Sequence, residues 1–508
     1  MGNKFAEAWK RHQEVVFTEN GGLTYNTSSD ANVDLFFRIG ALRGQPVDTL
    51  YRVFAKAFGE NPYIATRILL WSRDVREGAG ERKIFRDVLQ WLESHDTDVL
   101  DLVLPKVPEL GRWDDLTGTK EPIFKTTKYR GLAYDMVEKA LRARDGLCAK
   151  WMPRKGPVAN EMRKRFGLTP KEYRKVLVAL SDTVEQKMCQ KEWSAIDYEK
   201  VPSLAQARYS KAFLKNDEAR YREYGAKAKV YAETLEKVKS GELDASALEK
   251  VEKVKINAGA VYPYDVLKTV IGYGYYSSYG RNLANHDTIR AQWATLPNYM
   301  GKKKILPLVD TSGSMNSSVA GDGLSCMQVA VSLGLYMATK NTGDFHNMFM
   351  TFSGESDMVT LTGSDIIAQA QTLQSAHWGM NTNLSAAFET ILKFAKSNRV
   401  SQADMPEFLV ILSDMEFDAA AYGKTAYQDY TSKFEAAGYR APKIVWWNIQ
   451  SRHDNVPVKF NQEGAALVSG FSPSVVKGIL TGESISPVEM MLKVIMNQRY
   501  DLDLVKAA

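Results

Sequence analysis

The stretch Leu308-Val309-Asp310-Thr311-Ser312-Gly313-Ser314-Met315 sets a carboxylate and two hydroxyls on alternating positions of a glycine-containing turn, directly after an apolar run. Oxygens spaced in this way can point at one hard cation. Gly379-Met380-Asn381-Thr382-Asn383 adds a hydroxyl in a loop before a helical pattern, and Leu412-Ser413-Asp414 adds a second carboxylate after another apolar run. Asp310, Ser312, Ser314, Thr382 and Asp414 are therefore the candidate metal ligands. Oxygen-only ligands with little charge suit Mg²⁺ or another divalent cation that keeps several waters and leaves a coordination position open. Glu416 and Asp418 follow Asp414 closely and are expected on the surface, as is the loop histidine His377.

A second chemistry-bearing stretch runs from Leu141 to Val176. It holds Arg142, Arg144, Lys150, Arg154, Lys155, Arg163, Lys164, Arg165, Lys171, Arg174 and Lys175 against Asp145, Glu161 and Glu172, a net charge of +8. Cations neutralise phosphates, and the interleaved Trp151, Phe166 and Tyr173 could stack unpaired bases. The candidate RNA-binding residues are Arg142, Arg144, Arg154, Lys155, Arg163, Lys164, Arg165, Lys171 and Arg174. The competing reading places the three aromatics in the core beneath solvated cations. Trp113, and the tyrosines at 273, 275, 276 and 279, carry the same ambiguity between base stacking and packing.

Other chemistries lack their residues. The six histidines form no HExxH or His/Cys cluster, there is no GxxxxGK[ST] phosphate loop, and Ser312 and Ser314 sit in no GxSxG turn. Cys148, Cys189 and Cys326 are far apart and odd in number, which argues against a disulfide framework and fits a reducing compartment. No apolar run reaches the roughly 20 residues of a membrane span. The expectation is a cytoplasmic protein that is not an enzyme.

The elements that must position these residues fall into two textures. From Asp34 to about Gly259 apolar residues recur at helical spacing, as in Leu35, Ile39 and Leu42, in Ile64, Ile68 and Trp71, in Ile84, Val88 and Trp91, and in Tyr173, Leu177, Leu180 and Val184. Stacked amphipathic helices of the repeat-solenoid type satisfy this pattern, although no fixed period is present. Tyr221–Val254, rich in Ala, Lys and Glu, reads as exposed helix. From Lys302 on, short apolar strands at 305–309, 348–352, 408–412, 444–449 and 466–468 alternate with helices at 327–339, 366–373, 384–395 and 427–437. Strands apolar on both faces and separated by helices predict a doubly wound parallel sheet, with ligands at its carboxyl edge. The domains expected are residues 1–300, α-helical repeat, and residues 301–508, α/β.

Composition agrees with a folded chain of this kind: 508 residues, 44% hydrophobic and 25% charged. The formal charge of +6 is a cancellation between +12 before Ile305 and −6 from Ile305 onward. A basic half beside an acidic one points to a polyanion-binding part joined to something else.

The Asp310-x-Ser312-x-Ser314, Thr382 and Asp414 set resembles the metal-ion-dependent adhesion site of von Willebrand factor A domains, at all five positions and in order. The helical half, carrying Gly21-Gly22-Leu23-Thr24-Tyr25, Arg73-Asp74-Val75-Arg76-Glu77-Gly78-Ala79-Gly80-Glu81-Arg82, Gly111-Arg112-Trp113-Asp114-Asp115-Leu116, Trp151-Met152-Pro153 and the segment from Trp193 to Ser203, resembles the Ro ribonucleoprotein (TROVE-module) family. The likeness is closer to an uncharacterised relative of that family found in bacteria, phages and large viruses. The resemblance implies a ring of HEAT-like helical repeats closed by an A domain, non-catalytic binding of small structured or single-stranded-ended noncoding RNA, and a metal completed by an acidic group from a ligand. It transfers no individual RNA contact. The function expected is RNA binding with a Mg²⁺-dependent ligand site. The alternatives are a protein-interaction scaffold that captures a partner's Asp or Glu through the metal, and an accessory subunit of an ATPase machine.

Overall fold

The computed structural model describes residues 14–271, 286–319, 324–373, 379, 381–421, 423–479 and 485–502. His12, His377 and the aromatic strip at 272–280 lie outside the described residues.

Contacts divide the chain into two compact units, one of Met1–Gln45 with Pro202–Val494, the other of Pro46–Val201 with Ile495–Ala508. These bounds differ from a single cut at 300/301. Residues 14–45 and 202–271 belong with the sheet, and the last described residues belong with the helices.

The first unit is built on a six-stranded sheet. Two short strands, β1 (Val15–Phe17) and β2 (Leu23–Tyr25), form an antiparallel hairpin ahead of it. The sheet itself comprises β3 (Ile305–Asp310), β4 (Met348–Phe352), β5 (Ser356–Thr360), β6 (Phe408–Ser413), β7 (Lys443–Asn448) and β8 (Ala465–Ser469), in the order β8-β7-β6-β3-β4-β5. β3, β6 and β8 are buried at every residue, so side chains on both faces are covered, as their unbroken apolar runs require. The expected all-parallel sheet needs one correction, because β5 runs antiparallel to β4 along one edge. β5, Ser-Asp-Met-Val-Thr on a half-exposed edge, has only two apolar residues, so it carried no buried-strand signature.

The helices of this unit begin and end close to their sequence expectations: Cys326–Lys340, Ile366–Thr372, Leu384–Ser397 and Ala426–Ala436. Ser325 and Thr425 open the first and last of these with reciprocal capping boxes, satisfying N–H groups that a helix leaves unpaired. The long helix expected to run to 254 ends earlier, spanning Glu218–Ser240. Gly241 closes it in the left-handed conformation at φ +83, and a 3-10 turn at Ala245–Lys250 follows.

Helix Ala31–Arg38 packs against β8, and the chain leaving it passes so near the end of β8 that a β carbon on Gly40 would lie 2.4 Å from the Gly470 nitrogen. Gly40 N–H also donates to Ser469 Oγ, which donates to the Phe36 carbonyl. Gly40→Ala is expected to cost about 1–3 kcal/mol, since the obstacle is backbone that cannot rotate away. A wild-type denaturant midpoint in that variant would contradict this close approach.

The second unit is helical, with Val47–Glu60, Pro62–Arg73, Lys83–His95, Thr127–Arg142, Gly156–Arg165 and Pro170–Ser181 as its principal helices. The apolar faces read from the sequence are its core: Ile68, Trp71, Ile84, Val88, Tyr173 and Leu177 are buried. Residues 495–502 return to this unit. Arg67, 1% exposed, donates to the Ile495 and Asn497 carbonyls and pairs with Asp501 at 2.7 Å, while Arg499 pairs with Asp74 at 2.5 Å.

Candidate metal centre and basic face

β3 is the first strand of the sheet in sequence, β4 lies on one side of it and β6 on the other, so the winding reverses between β3 and β6. In sheets of this kind, ligands bind at the carboxyl ends of the strands where such a reversal occurs. The parallel register pairs Val309 with Leu412, which sets Asp310 beside Ser413. Ser413 Oγ donates to Asp310 Oδ2 at 2.6 Å, and the Ser312 N–H donates to Asp310 Oδ1 at 2.9 Å. Ser312 Oγ and Ser314 Oγ lie 3.1 Å apart. Thr382 sits in the loop before helix Leu384–Ser397, whose N-cap Asn383 accepts from the Ala386 N–H.

Asp310, Ser312, Thr382 and Asp414 are all buried, and Ser314 is partly so. Burial, with the negative charge of Asp414 beside it, pushes the Asp310 carboxyl up to about 7. Asp414 is also raised, by burial and then by Glu416. Among the described residues, Asp414 Oδ2 is buried without a hydrogen-bond partner, and a guanidinium nitrogen of Arg452 approaches it only to 3.9 Å. Two buried carboxylates, each raised by burial and by a neighbouring negative charge, and a buried acceptor without a hydrogen bond among the described residues are the surroundings a positive ion would correct. The donor set is all oxygen. These residues fit a hard divalent cation.

Three neighbours were not legible as such in the sequence. Glu416, expected on the surface, is fully buried; it accepts from Asn455 Nδ2 at 2.9 Å and the Glu19 N–H at 2.8 Å, and faces His453 Nδ1 at 3.0 Å. Asp418 Oδ2 accepts from the Thr382 N–H at 3.2 Å, fixing that loop. The turn between β1 and β2 is the third: Asn20 Nδ2 donates to the Glu416 carbonyl at 2.6 Å and lies 3.3 Å from Thr382 Oγ1, and Thr18 Oγ1 donates to the Phe417 carbonyl. The Gly21-Gly22 dipeptide announced a turn, but nothing local indicated where it would dock. Cys326, also near Asp414, is buried and its thiol is pushed up to about 11, chiefly by burial, so it is a poor nucleophile.

In the helical unit, Tyr173 is core, packed with Val137, Cys148, Met162 and Leu177, and is not a stacking platform. Trp113 and Phe166 pack partly buried against the same cluster. Trp151 is covered by the Arg112 guanidinium, 3.5 Å from its ring centre, and Phe166 by that of Arg142 at 4.8 Å. The cations divide. Arg165 is held by Asp135 at 2.5 Å and by Glu138 and Glu161, and Arg142 by Glu138 at 2.7 Å. Arg154 donates to the Met152 carbonyl, and Arg163 to Asn160 Oδ1. Arg144, Lys155, Lys164, Lys171 and Arg174 are exposed, and none of them belongs to an ion pair among the described residues.

The motifs around Arg73 and Gly111 meet in a buried ion network. Arg73, 1% exposed, pairs with the fully buried Asp115 at 2.6 Å; Arg86 reaches Asp115 at 2.7 Å and Asp114 at 3.0 Å, and Arg112 pairs with Asp114. Gly78 is required because a β carbon there would lie 1.9 Å from the Trp71 carbonyl oxygen. These motifs are structural.

Among the described residues, no helix is long and apolar enough to cross a membrane. Residues 304–503 match the family model described as a domain of unknown function (DUF7788), and residues 18–106 and 149–304 match another domain of unknown function (DUF2828). Over 95% of its length the chain is 28% identical to "Uncharacterized protein L728" of Acanthamoeba polyphaga mimivirus, covering 87% of that protein. A solved structure, that of the RO (RSR) protein of Deinococcus radiodurans, aligns over 90% of this chain and 92% of its own with 14% identity and a TM-score of 0.36.

Proposed function

We propose that the chain is a non-catalytic RNA-binding protein, whose helical unit engages phosphates and whose sheet unit, a von Willebrand factor A-like domain, carries a Mg²⁺ or related divalent-cation site for an acidic ligand. The observation that supports the RNA reading is the set of exposed cations Arg144, Lys155, Lys164, Lys171 and Arg174, none in an ion pair among the described residues. Within one unit they offer charge to a polyanion without first giving up a carboxylate partner. The sequence resemblance to Ro ribonucleoproteins points the same way, toward small noncoding or misfolded RNA. Three free cysteines, two of them buried, support a cytoplasmic setting.

At the metal centre, Asp310, Ser312, Ser314, Thr382 and Asp414 would hold the ion. When bound, such an ion supplies positive charge and an open position for a carboxylate. The chain's own residues orient that site: Ser413 and the Ser312 N–H fix the Asp310 carboxylate, and Asp418 fixes the Thr382 loop. The unsatisfied Asp414 Oδ2 favours a second reading, a scaffold that captures an acidic residue of a protein partner.

The test of RNA binding is the salt dependence of single-stranded RNA affinity. Wild-type affinity is expected to fall steeply with salt, with a logarithmic slope of about −0.7 per phosphate contacted. Combining Lys155→Glu, Lys164→Glu, Lys171→Glu and Arg174→Glu is expected to weaken binding at least about tenfold and flatten that slope. Arg165→Glu is the wrong probe, because it sets a fourth carboxylate beside Asp135, Glu138 and Glu161. Undetectable or salt-insensitive binding would overturn the RNA reading.

A further inference from the structure

The turn between β1 and β2 is fastened to the metal centre by its backbone and by its smaller side chains. Thr18 bonds the Phe417 carbonyl, the Glu19 N–H bonds Glu416, Asn20 bonds the Glu416 carbonyl, and Gly21 bridges to Asp418. The Glu19 side chain takes no part in this anchoring. It is half-exposed and pairs with Arg452 at 2.6 Å, through the same guanidinium nitrogen that stands 3.9 Å from the orphaned Asp414 Oδ2. Among the described residues, Arg452 is the one cationic side chain within 4 Å of that oxygen, and at 3.9 Å it is too distant to satisfy it.

We propose that Glu19 is a further ligand of the cation site, an intramolecular carboxylate that Arg452 holds until a divalent ion takes over the guanidinium's place beside Asp414. This rests on the cation-site reading of Asp310 and its companions. The physical argument is one of charge and reach. An ion bound by Asp414 repels Arg452 and attracts Glu19, since like charges a few ångströms apart in a partly buried site oppose each other strongly. The Glu19–Arg452 pair is exposed on both sides, at 48% and 41%, and such pairs hold their geometry weakly, so the exchange meets little resistance. Because the Glu19 backbone is already anchored, only side-chain torsions have to change. The hairpin thereby becomes part of the ligand set, and an external acidic ligand has to compete with Glu19 for the open position.

The test is Mn²⁺ titration of the full chain by calorimetry, with backbone amide exchange of residues 14–25 as a second readout. Glu19→Gln is expected to weaken Mn²⁺ binding about tenfold. Arg452→Gln, which removes the competing cation, is expected to tighten it. Mn²⁺ is expected to slow exchange in the hairpin of the wild type but not of Glu19→Gln. Unchanged affinity and hairpin protection in Glu19→Gln, with Asp310→Asn still losing the ion, would overturn the role of Glu19 and leave the metal centre standing. Failure of the wild type to bind Mn²⁺ at all would overturn both.

Discussion

Asp310→Asn is expected to abolish divalent-cation binding while leaving the fold intact. In the wild type, Mg²⁺ or Mn²⁺ at a hundred times its dissociation constant should raise stability by about 2.7 kcal/mol, because the ion binds the folded state alone. The variant should show none of this gain. In a chelator it should melt at or above the wild-type temperature, because it removes a carboxylate that is buried and pushed up to about 7 by burial and by Asp414. The asparagine keeps the shape and an acceptor for Ser413 Oγ, so a global loss of structure is not expected. A variant that retained the wild-type cation-induced shift in melting temperature would contradict the ligand assignment.

The largest expected loss of stability lies in the other unit. Asp115 is fully buried; its Oδ2 accepts from Arg73 Nε at 2.8 Å and the Arg112 N–H at 2.9 Å, and its Oδ1 accepts from Arg86 Nε at 2.7 Å. Asp115→Ala leaves the 1%-exposed Arg73 charged and unpaired. Breaking a buried pair from one side costs about 3–5 kcal/mol, a large part of any domain's margin. The variant is expected to lose the helical unit's cooperative unfolding transition at moderate denaturant, and with it any RNA affinity. Arg73→Met with Asp115→Leu, which removes both charges, is expected to recover much of the loss. A single variant within about 1 kcal/mol of wild type would show that water reaches the site and that the network is not dry.

The contrast between these two sites shows what the sequence could and could not convey. The placement of the candidate metal-site residues was legible because it is set by strand ends: once β3 and β6 are recognised as buried parallel strands, Asp310 and Asp414 must emerge at one edge. Glu416 was not legible, because its burial depends on Asn455, Glu19 and the docked hairpin, partners drawn from both ends of the chain. β1 and β2 escaped notice because three residues each carry too little periodicity, and β5 because a half-exposed edge strand lacks the apolar run of its neighbours. In the helical unit, spacing identified the core residues Tyr173 and Leu177, but it could not say that Trp151 and Phe166 lie under arginines. Charge counting found the basic segment as a whole. Only the structure separated Arg165, held by three carboxylates, from Lys164 beside it, which is exposed.

The most direct measurement of the central claim is the nucleic acid that accompanies the full chain through purification at low salt. The account predicts RNA, removed by ribonuclease or by high salt, enriched on sequencing for noncoding species with single-stranded ends, and depleted when Lys155, Lys164, Lys171 and Arg174 are reversed to glutamate. Recovery of the wild-type protein free of RNA under those conditions would contradict it.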